Sequence, residues 1–261
     1  MTIKASGASL SFTEIIAEFT GGSNPRSLSQ YYKGGARVPS GTTGVPASGA
    51  INFASFYSKS NSVPGNQTYS TPGTYTFTVP ASGWSTLTVT VDGAGGSGGH
   101  DQVGGSNAGG NSSFNSSVIG GGANGGSNAF YTSGPIPGGA GGTASGGDTN
   151  TSGNVGGTAP YGGGPGAGGT SAAGASGGSG AQGGVAGNGA APGGGGGGSN
   201  PSLNCASGGG GGGRAVKTYN TSTLTPGASI TVVVGAGGAS RAPGVNQSGA
   251  GGDGKVYIAW S

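Results

Sequence analysis

Polar and apolar positions alternate along Thr74-Tyr75-Thr76-Phe77-Thr78-Val79 and again along Ser85-Thr86-Leu87-Thr88-Val89-Thr90-Val91. A period of two puts every second side chain on one face of an extended chain. Two strands are therefore expected, joined as a hairpin across the Pro80 to Gly83 turn. Similar patterns recur far downstream at 214–219, 229–234 and 254–260, separated by Thr225-Pro226-Gly227 and by Gly-rich turns. Five or six strands with one apolar face make a small β-sandwich or barrel. Phe77, Trp84, Leu87, Val89, Val232 and Ile258 are candidate core residues.

The period changes near the start of the chain. Phe12, Ile15, Ile16 and Phe19 recur at offsets of three and four, and Ser11 stands three residues before Glu14 as in a capping box. This predicts a short amphipathic helix over about 11–19, ended by Gly21-Gly22. A second short helix is expected after Pro25, through Leu28 and Tyr31. The stretch 45–57 reads as a turn, a short extended piece and an aromatic closure. Residues 1–60 thus form a segment with little apolar area to bury by itself, expected to dock on a partner or on copies of itself.

Between the two strand groups, residues 93–213 show neither period. Glycine accounts for 70 of the 261 residues, against a usual share of about 7%. A helix interior loses roughly 1 kcal/mol per Gly, so ordinary helices are excluded. Collagen is excluded too, because its Gly falls at every third position without lapse, whereas here singles, pairs and runs such as 193–198 and 208–213 are mixed. A structureless loop of this length inside a compact domain is improbable. Polyproline II geometry suits the composition, since its N–H and C=O groups point outward to neighbouring chains and Gly alone allows close approach. The expected fold class is mainly β. A small N-terminal segment with short helices (1–60) precedes a β-sandwich-like base (61–92 and 214–261), which carries a Gly-rich polyproline II bundle as an insertion (93–213).

Charge and chemistry narrow the function classes. Nine basic and six acidic side chains give a formal charge of +3, but Lys4, Arg26, Lys33, Arg37 and Lys59 are dispersed among Glu14 and Glu18, unlike the clustered patch of a nucleic-acid binder. The lone Cys205 provides neither a disulfide nor a metal quartet. No apolar run reaches the roughly 18 residues of a membrane span, and the N-terminus lacks the pattern of an export signal. His100-Asp101 are neighbours in sequence, which does not make a catalytic site. Asp101 and Asp148 are the insertion's two carboxylates and read as turn-forming acids rather than as a glycosidase pair. No enzyme activity, cofactor or metal is expected. Isolated rings on a nearly uncharged Gly-rich surface are efficient contact residues, so His100, Phe114, Phe130, Tyr131 and Tyr161 are candidates for receptor binding, with plugging of the bundle ends as the alternative.

The run Pro72-Gly73-Thr74-Tyr75-Thr76-Phe77-Thr78-Val79-Pro80, then Val89-Thr90-Val91-Asp92-Gly93-Ala94-Gly95-Gly96, the Gly208–Gly213 run before Arg214, and Ile230-Thr231-Val232-Val233-Val234-Gly235-Ala236-Gly237-Gly238 resemble the glycine-rich domain of tail-fibre and receptor-binding proteins of tailed bacteriophages. The resemblance spans about 68–261. The segments Phe12 to Phe19, Ser27 to Gly35 and Gly49 to Tyr57 are similar to a recurrent segment of phage tail and baseplate structural proteins. The resemblance implies a virion tail fibre or adhesin, made in the host cytoplasm and released by lysis. It would attach to other tail or baseplate proteins through the N-terminal segment, with Phe12, Ile15, Ile16, Phe19, Tyr31 and Tyr32 as docking candidates. It implies a homotrimer that binds a bacterial surface receptor, a sugar or an outer-membrane protein, with no nucleic acid and no membrane insertion. The alternatives are a purely structural tail or baseplate component and a Gly-rich ice-binding or matrix protein.

Overall fold

The computed structural model describes residues 3–19, 27–35, 37–38, 42, 44–59, 64–81, 83–100, 106–129, 134–200, 205–241 and 246–261. Helix α1 (Phe12–Glu18) begins where the sequence indicated, at a capping box: Glu14 N–H donates to Ser11 Oγ at 3.3 Å, and Ser11 N–H donates to Glu14 Oε2 at 2.8 Å. Two single 3-10 turns, Leu28–Tyr31 and Phe53–Phe56, stand where a second helix and the aromatic closure were expected.

The strands are β1 (Gly65–Tyr69), β2 (Gly73–Thr78), β3 (Thr86–Asp92), β4 (Ser112–Phe114), β5 (Val118–Gly120), β6 (Asn128–Ala129), β7 (Ala144–Ser145), β8 (Thr149–Thr151), β9 (Ala181–Gln182), β10 (Ser199–Asn200), β11 (Cys205–Ala206), β12 (Arg214–Asn220), β13 (Ser229–Val234) and β14 (Lys255–Trp260). They build two antiparallel sheets of five strands, ordered β1-β14-β3-β12-β8 and β2-β13-β4-β5-β7. Alternate residues of both close on one core, with Leu87, Val89, Val91 and Ile258 from the first sheet meeting Phe77, Phe114, Val118 and Val232 from the second. Full burial of such side chains contributes about 1.5–3 kcal/mol each.

The expected hairpin between 74–79 and 85–91 does not form. β2 pairs with β13, placing Phe77 opposite Ile230, while β3 lies in the other sheet between β12 and β14. The connection turns a corner around Trp84, which is buried and donates from Nε1 to Pro80 O at 2.7 Å. A hairpin would leave both apolar faces on one side of a single sheet. Separated, the two strands cover each other's faces across the core.

The glycine-rich runs pack as a bundle whose regularity is visible in their hydrogen bonds. In residues 93–99 the N–H groups of Gly93, Gly96 and Gly99 donate to Gly213, Gly210 and Ser207. Those of Ala94 and Ser97 donate to Gly110 and Asn107, and those of Gly95 and Gly98 to Gly252 and Gly249, all at 2.8–3.1 Å. Direction repeats every third residue, and none of these bonds is internal to the run. Three residues per turn without internal bonds is the geometry of polyproline II.

Run 207–213 follows the same rule, donating to 121–127, 154–157 and 193–196 and accepting from 93–99, 139–142 and 166–172. Run 193–199 likewise touches neighbours on all sides. These three inner runs contact one another and are enclosed by nine outer ones, in ring order 107–111, 120–127, 138–143, 153–157, 166–172, 175–181, 186–190, 248–254 and 235–239, each bonded to the next and the last to the first. Residues 235–254, between β13 and β14, complete a ring whose other members come from 93–213.

The inner run Gly208–Gly213 has neighbouring backbone on every side. Around Gly208–Gly213 a Cβ would fall 1.9–2.6 Å from carbonyl oxygens of Ala167, Gly96, Ala140, Thr170, Gly93 and Gly142 in turn. Real Cβ atoms are not found that close, so six consecutive glycines are required. Outer runs have one free direction per turn and carry a side chain there, as Ala140 and Thr143 do between pairs of glycines. The backbone is thus satisfied without an apolar core.

The N-terminal lobe has its own small core of Ile3, Ile15, Phe19, Tyr31, Val38, Val45 and Phe56. Its ends are tied by Ile3 N–H to Lys59 O at 2.9 Å and Ser58 N–H to Lys4 O at 3.0 Å. Three of the docking candidates are accordingly inside: Ile15, Phe19 and Tyr31 have no exposed surface. They hold the lobe together and do not present a docking face. Phe12, Ile16 and Tyr32 are partly exposed, and Phe12 stacks on the exposed Phe53 with ring centroids 6.2 Å apart. Tyr32 donates its hydroxyl to Gly49 O.

Candidate functional site

All runs end on one of two levels. At one level several become sandwich strands, at Asp92-Gly93, Gly120-Gly121, Gly213-Arg214, Val234-Gly235 and Gly254-Lys255, and the turns 171–175 and 190–194 reverse the chain at this same level. At the other, far from the sheets, the chain reverses between neighbouring runs. The described borders of these reversals are His100 and Ser106, Ala129 and Gly134, Asn200 and Cys205, and Arg241 and Asn246, together with the complete turns at 159–165 and 182–186. This end is the surface the bundle presents away from its base.

Short bridges stitch it. β9 pairs with β10 in parallel, β6 with β11 antiparallel, and isolated bridges join His100 to Ser199 and Ile136 to Ala159. Ser199 Oγ meets the carbonyls of Gly184 at 2.9 Å and Asn246 at 3.0 Å, while Ser207 Oγ accepts from Ser127 N–H at 2.8 Å. Ile136, Ala159 and Cys205 form a small buried cluster, with the Cys205 thiol 3.2 Å from Pro160 O.

The five predicted contact rings separate here. Tyr161 stands on the turn after Pro160 and is 65% exposed. Phe114 is not on the bundle at all: it lies in β4, fully buried between Phe77 and Tyr219 at 6.2 and 5.8 Å. The apolar alternation that would have revealed β4 is only three residues long and sits among serines. His100 is 2% exposed, because its backbone is paired into the end of an inner run. Phe130 and Tyr131 lie outside the described residues. Sequence reasoning did not single out Val185, 59% exposed on the 182–186 turn.

Of the insertion's two carboxylates only Asp148 lies among the described residues. Asp148 sits at the sheet level on the turn between β7 and β8, accepting from Thr218 N–H at 2.8 Å and pairing with Lys217 Nζ at 3.0 Å. The Thr218 amide first, and then Lys217, hold its carboxyl below the usual carboxylate range. Asp101 lies outside the described residues. No group of three or more His, Cys, Asp or Glu placed to hold a metal ion occurs among the described residues.

The arrangement is a set of turns raised on a β-sandwich and polyproline II scaffold. A family model described as a glycine-rich domain matches residues 190–261, which comprise two inner runs, two outer runs and strands β10 to β14. No curated protein and no solved structure matches the chain.

Proposed function

We propose that this protein is a tail adhesin of a tailed bacteriophage, which contacts the host surface through the free end of its bundle. The observation that carries the reading is the group of reversals at the end of the bundle away from the sandwich, with Tyr161 and Val185 exposed there. Loops held on a rigid scaffold are where recognition usually resides. The sequence resemblance of 68–261 to phage receptor-binding proteins supports the same reading. In it, the N-terminal lobe joins the chain to other tail proteins, as part of a homotrimer. Its partly exposed Phe12, Ile16 and Phe53 are the residues available for contact.

Adsorption of the purified full chain to a panel of bacterial cells, with competition against phage adsorption, tests the proposal. Saturable binding that falls on Tyr161→Ala, with unchanged thermal unfolding, is expected. A folded chain that adsorbs to no cell, yet is found in purified virions, would assign it a structural tail role instead.

A further inference from the structure

We propose that copies of this chain join edge to edge, β2 of one adding antiparallel to β1 of the next about an axis along the strands. The inference supplies an interface for the homotrimer in the reading above and rests on that reading only for the number of copies. The outermost strands of a sheet carry backbone groups with no partner on one side. On one side of the sandwich the outermost strands are β7 and β8, two and three residues long, and Asp148 on the turn between them is engaged by Thr218 and Lys217. On the other side they are β1 and β2, five and six residues long. Tyr69 and Tyr75 stack there with ring centroids 5.0 Å apart, so the two open edges lie side by side.

The backbone bonds show which groups point outward. Val79 N–H donates to Ala228 O at 2.9 Å, and an antiparallel ladder alternates in steps of two. Tyr75 and Phe77 therefore bond to β13, while Thr74, Thr76 and Thr78 turn their N–H and C=O groups away from it. Ser261 and Thr86 exchange both backbone bonds at 3.0 Å, and the same alternation carried through β14 leaves Asn66 and Thr68 of β1 facing outward. All five residues are exposed. Among their carbonyls, that of Thr76 accepts a long bond of 3.5 Å from Tyr69 Oη. Neither 65–69 nor 73–78 contains a charged residue or a proline, the usual devices that keep an edge strand from pairing.

A second copy of the chain fits this edge because its own strands run the right way. β1 is antiparallel to β14 and β14 to β3, so β1 runs toward the bundle as β3 does. β2 is antiparallel to β13, which also enters the bundle, so β2 runs away from it. Rotation about an axis along the strands keeps both directions, and it sets β2 of one copy antiparallel to β1 of the next. Tyr69 stands level with Tyr75, so the register that turns amide toward amide places Thr68 opposite Thr76 and Asn66 opposite Thr78. Pairing buries no charge. The contact is head to tail, β2 to β1, and closes into a ring that leaves neither edge open. All copies then point their bundle ends the same way, where several weak contacts to one surface add as avidity.

The test uses the full chain. Sedimentation of the wild type is expected to show three copies. Thr76→Pro removes one outward N–H at a position where an open edge tolerates proline. It is expected to raise the concentration at which copies separate by about tenfold or more, with an unchanged circular dichroism spectrum. Thr68→Cys combined with Thr76→Cys sets two thiols opposite each other across the contact, within disulfide reach. Within one chain they cannot meet, because Tyr69 and Phe77 face the core and their neighbours therefore point outward from different sheets; the native Cys205 is buried. Oxidation should link three copies covalently in the double variant and in neither single one. A monomeric wild type, equal association by Thr76→Pro, or a double variant that forms no bond between copies would overturn the inference. Covalent rings of two copies would uphold the strand pairing and overturn the homotrimer. Linked trimers that adsorb to no bacterial cell would overturn the adhesin reading alone.

Discussion

A single methyl group separates a tolerated glycine from an essential one in this chain. At Gly195 a Cβ would lie 2.1 Å from the carbonyl oxygen of Gly209, and the obstacle is backbone of another inner run. Gly195→Ala is expected to lose about 3 kcal/mol or more, at the upper end of overpacking effects, because neither run can retreat without breaking bonds to its other neighbours. Gly184 has open space around its Cα. Gly184→Ala is expected to stay within about 0.5 kcal/mol of wild type. Denaturant unfolding of the two variants compares them directly, and equal effects would refute the close packing of the inner runs. The ion pair at the root of the bundle is a second sensitive point. Arg214 Nε and Nη2 donate to Asp92 Oδ1 and Oδ2 at 2.6 and 3.1 Å, and the Asp92 side chain is 2% exposed. Arg214→Ala leaves that carboxylate buried without its partner, with an expected loss of about 3 kcal/mol, measurable by the same unfolding.

Among the elements, α1 is one whose stability should follow pH. Its Glu14 carboxylate is held down to about 2 by Lys4 first, at 2.6 Å, and then by the backbone and side chain of Ser11. The folded pKa lies below the unfolded value, so this contribution is complete above about 4.5 and fades as pH falls from there through about 2. Following the Ser11 amide resonance through an acid titration should show that midpoint, and Glu14→Gln should abolish it. Strands β2, β3, β12, β13 and β14 and helix α1 were legible because each carries several turns or alternations of a clear period, as Leu87, Val89 and Val91 do in β3, whereas β1, β4, β5, β7 and β8 were not. Pairing was not legible. The tight turn after Val79 resembles a hairpin, and only the contacts with 229–234 and 255–260, more than a hundred residues later, decide that β2 and β3 separate. The polyproline II runs could be inferred from glycine content, but the closed ring could not, since the membership of 235–254 depends on neighbours distant in sequence. At the free end, Tyr161 could be read as an exposed ring between glycine runs, whereas Phe114, equally isolated by pattern, belongs to a strand too short to announce itself.

At the scale of the molecule, sandwich and bundle share their chain crossings. Runs 93–99, 207–213, 235–239 and 248–254 each continue directly from a strand, so neither part can lose its order without loosening the other. One cooperative transition is expected, with the sheet and polyproline II signals in circular dichroism melting at the same temperature; two separate midpoints would contradict this coupling.

The bundle's interior also bears on how stability varies with temperature. Unfolding an ordinary domain raises the heat capacity by about 12–15 cal/mol/K per residue, because exposed apolar groups add more than exposed polar groups subtract. Here a large part of what becomes wet is peptide backbone, which enters with the opposite sign. Calorimetry should therefore give a per-residue increment below that range. The curve of free energy against temperature would then be shallow, and the protein would hold much the same margin of stability in the cold as in the warmth.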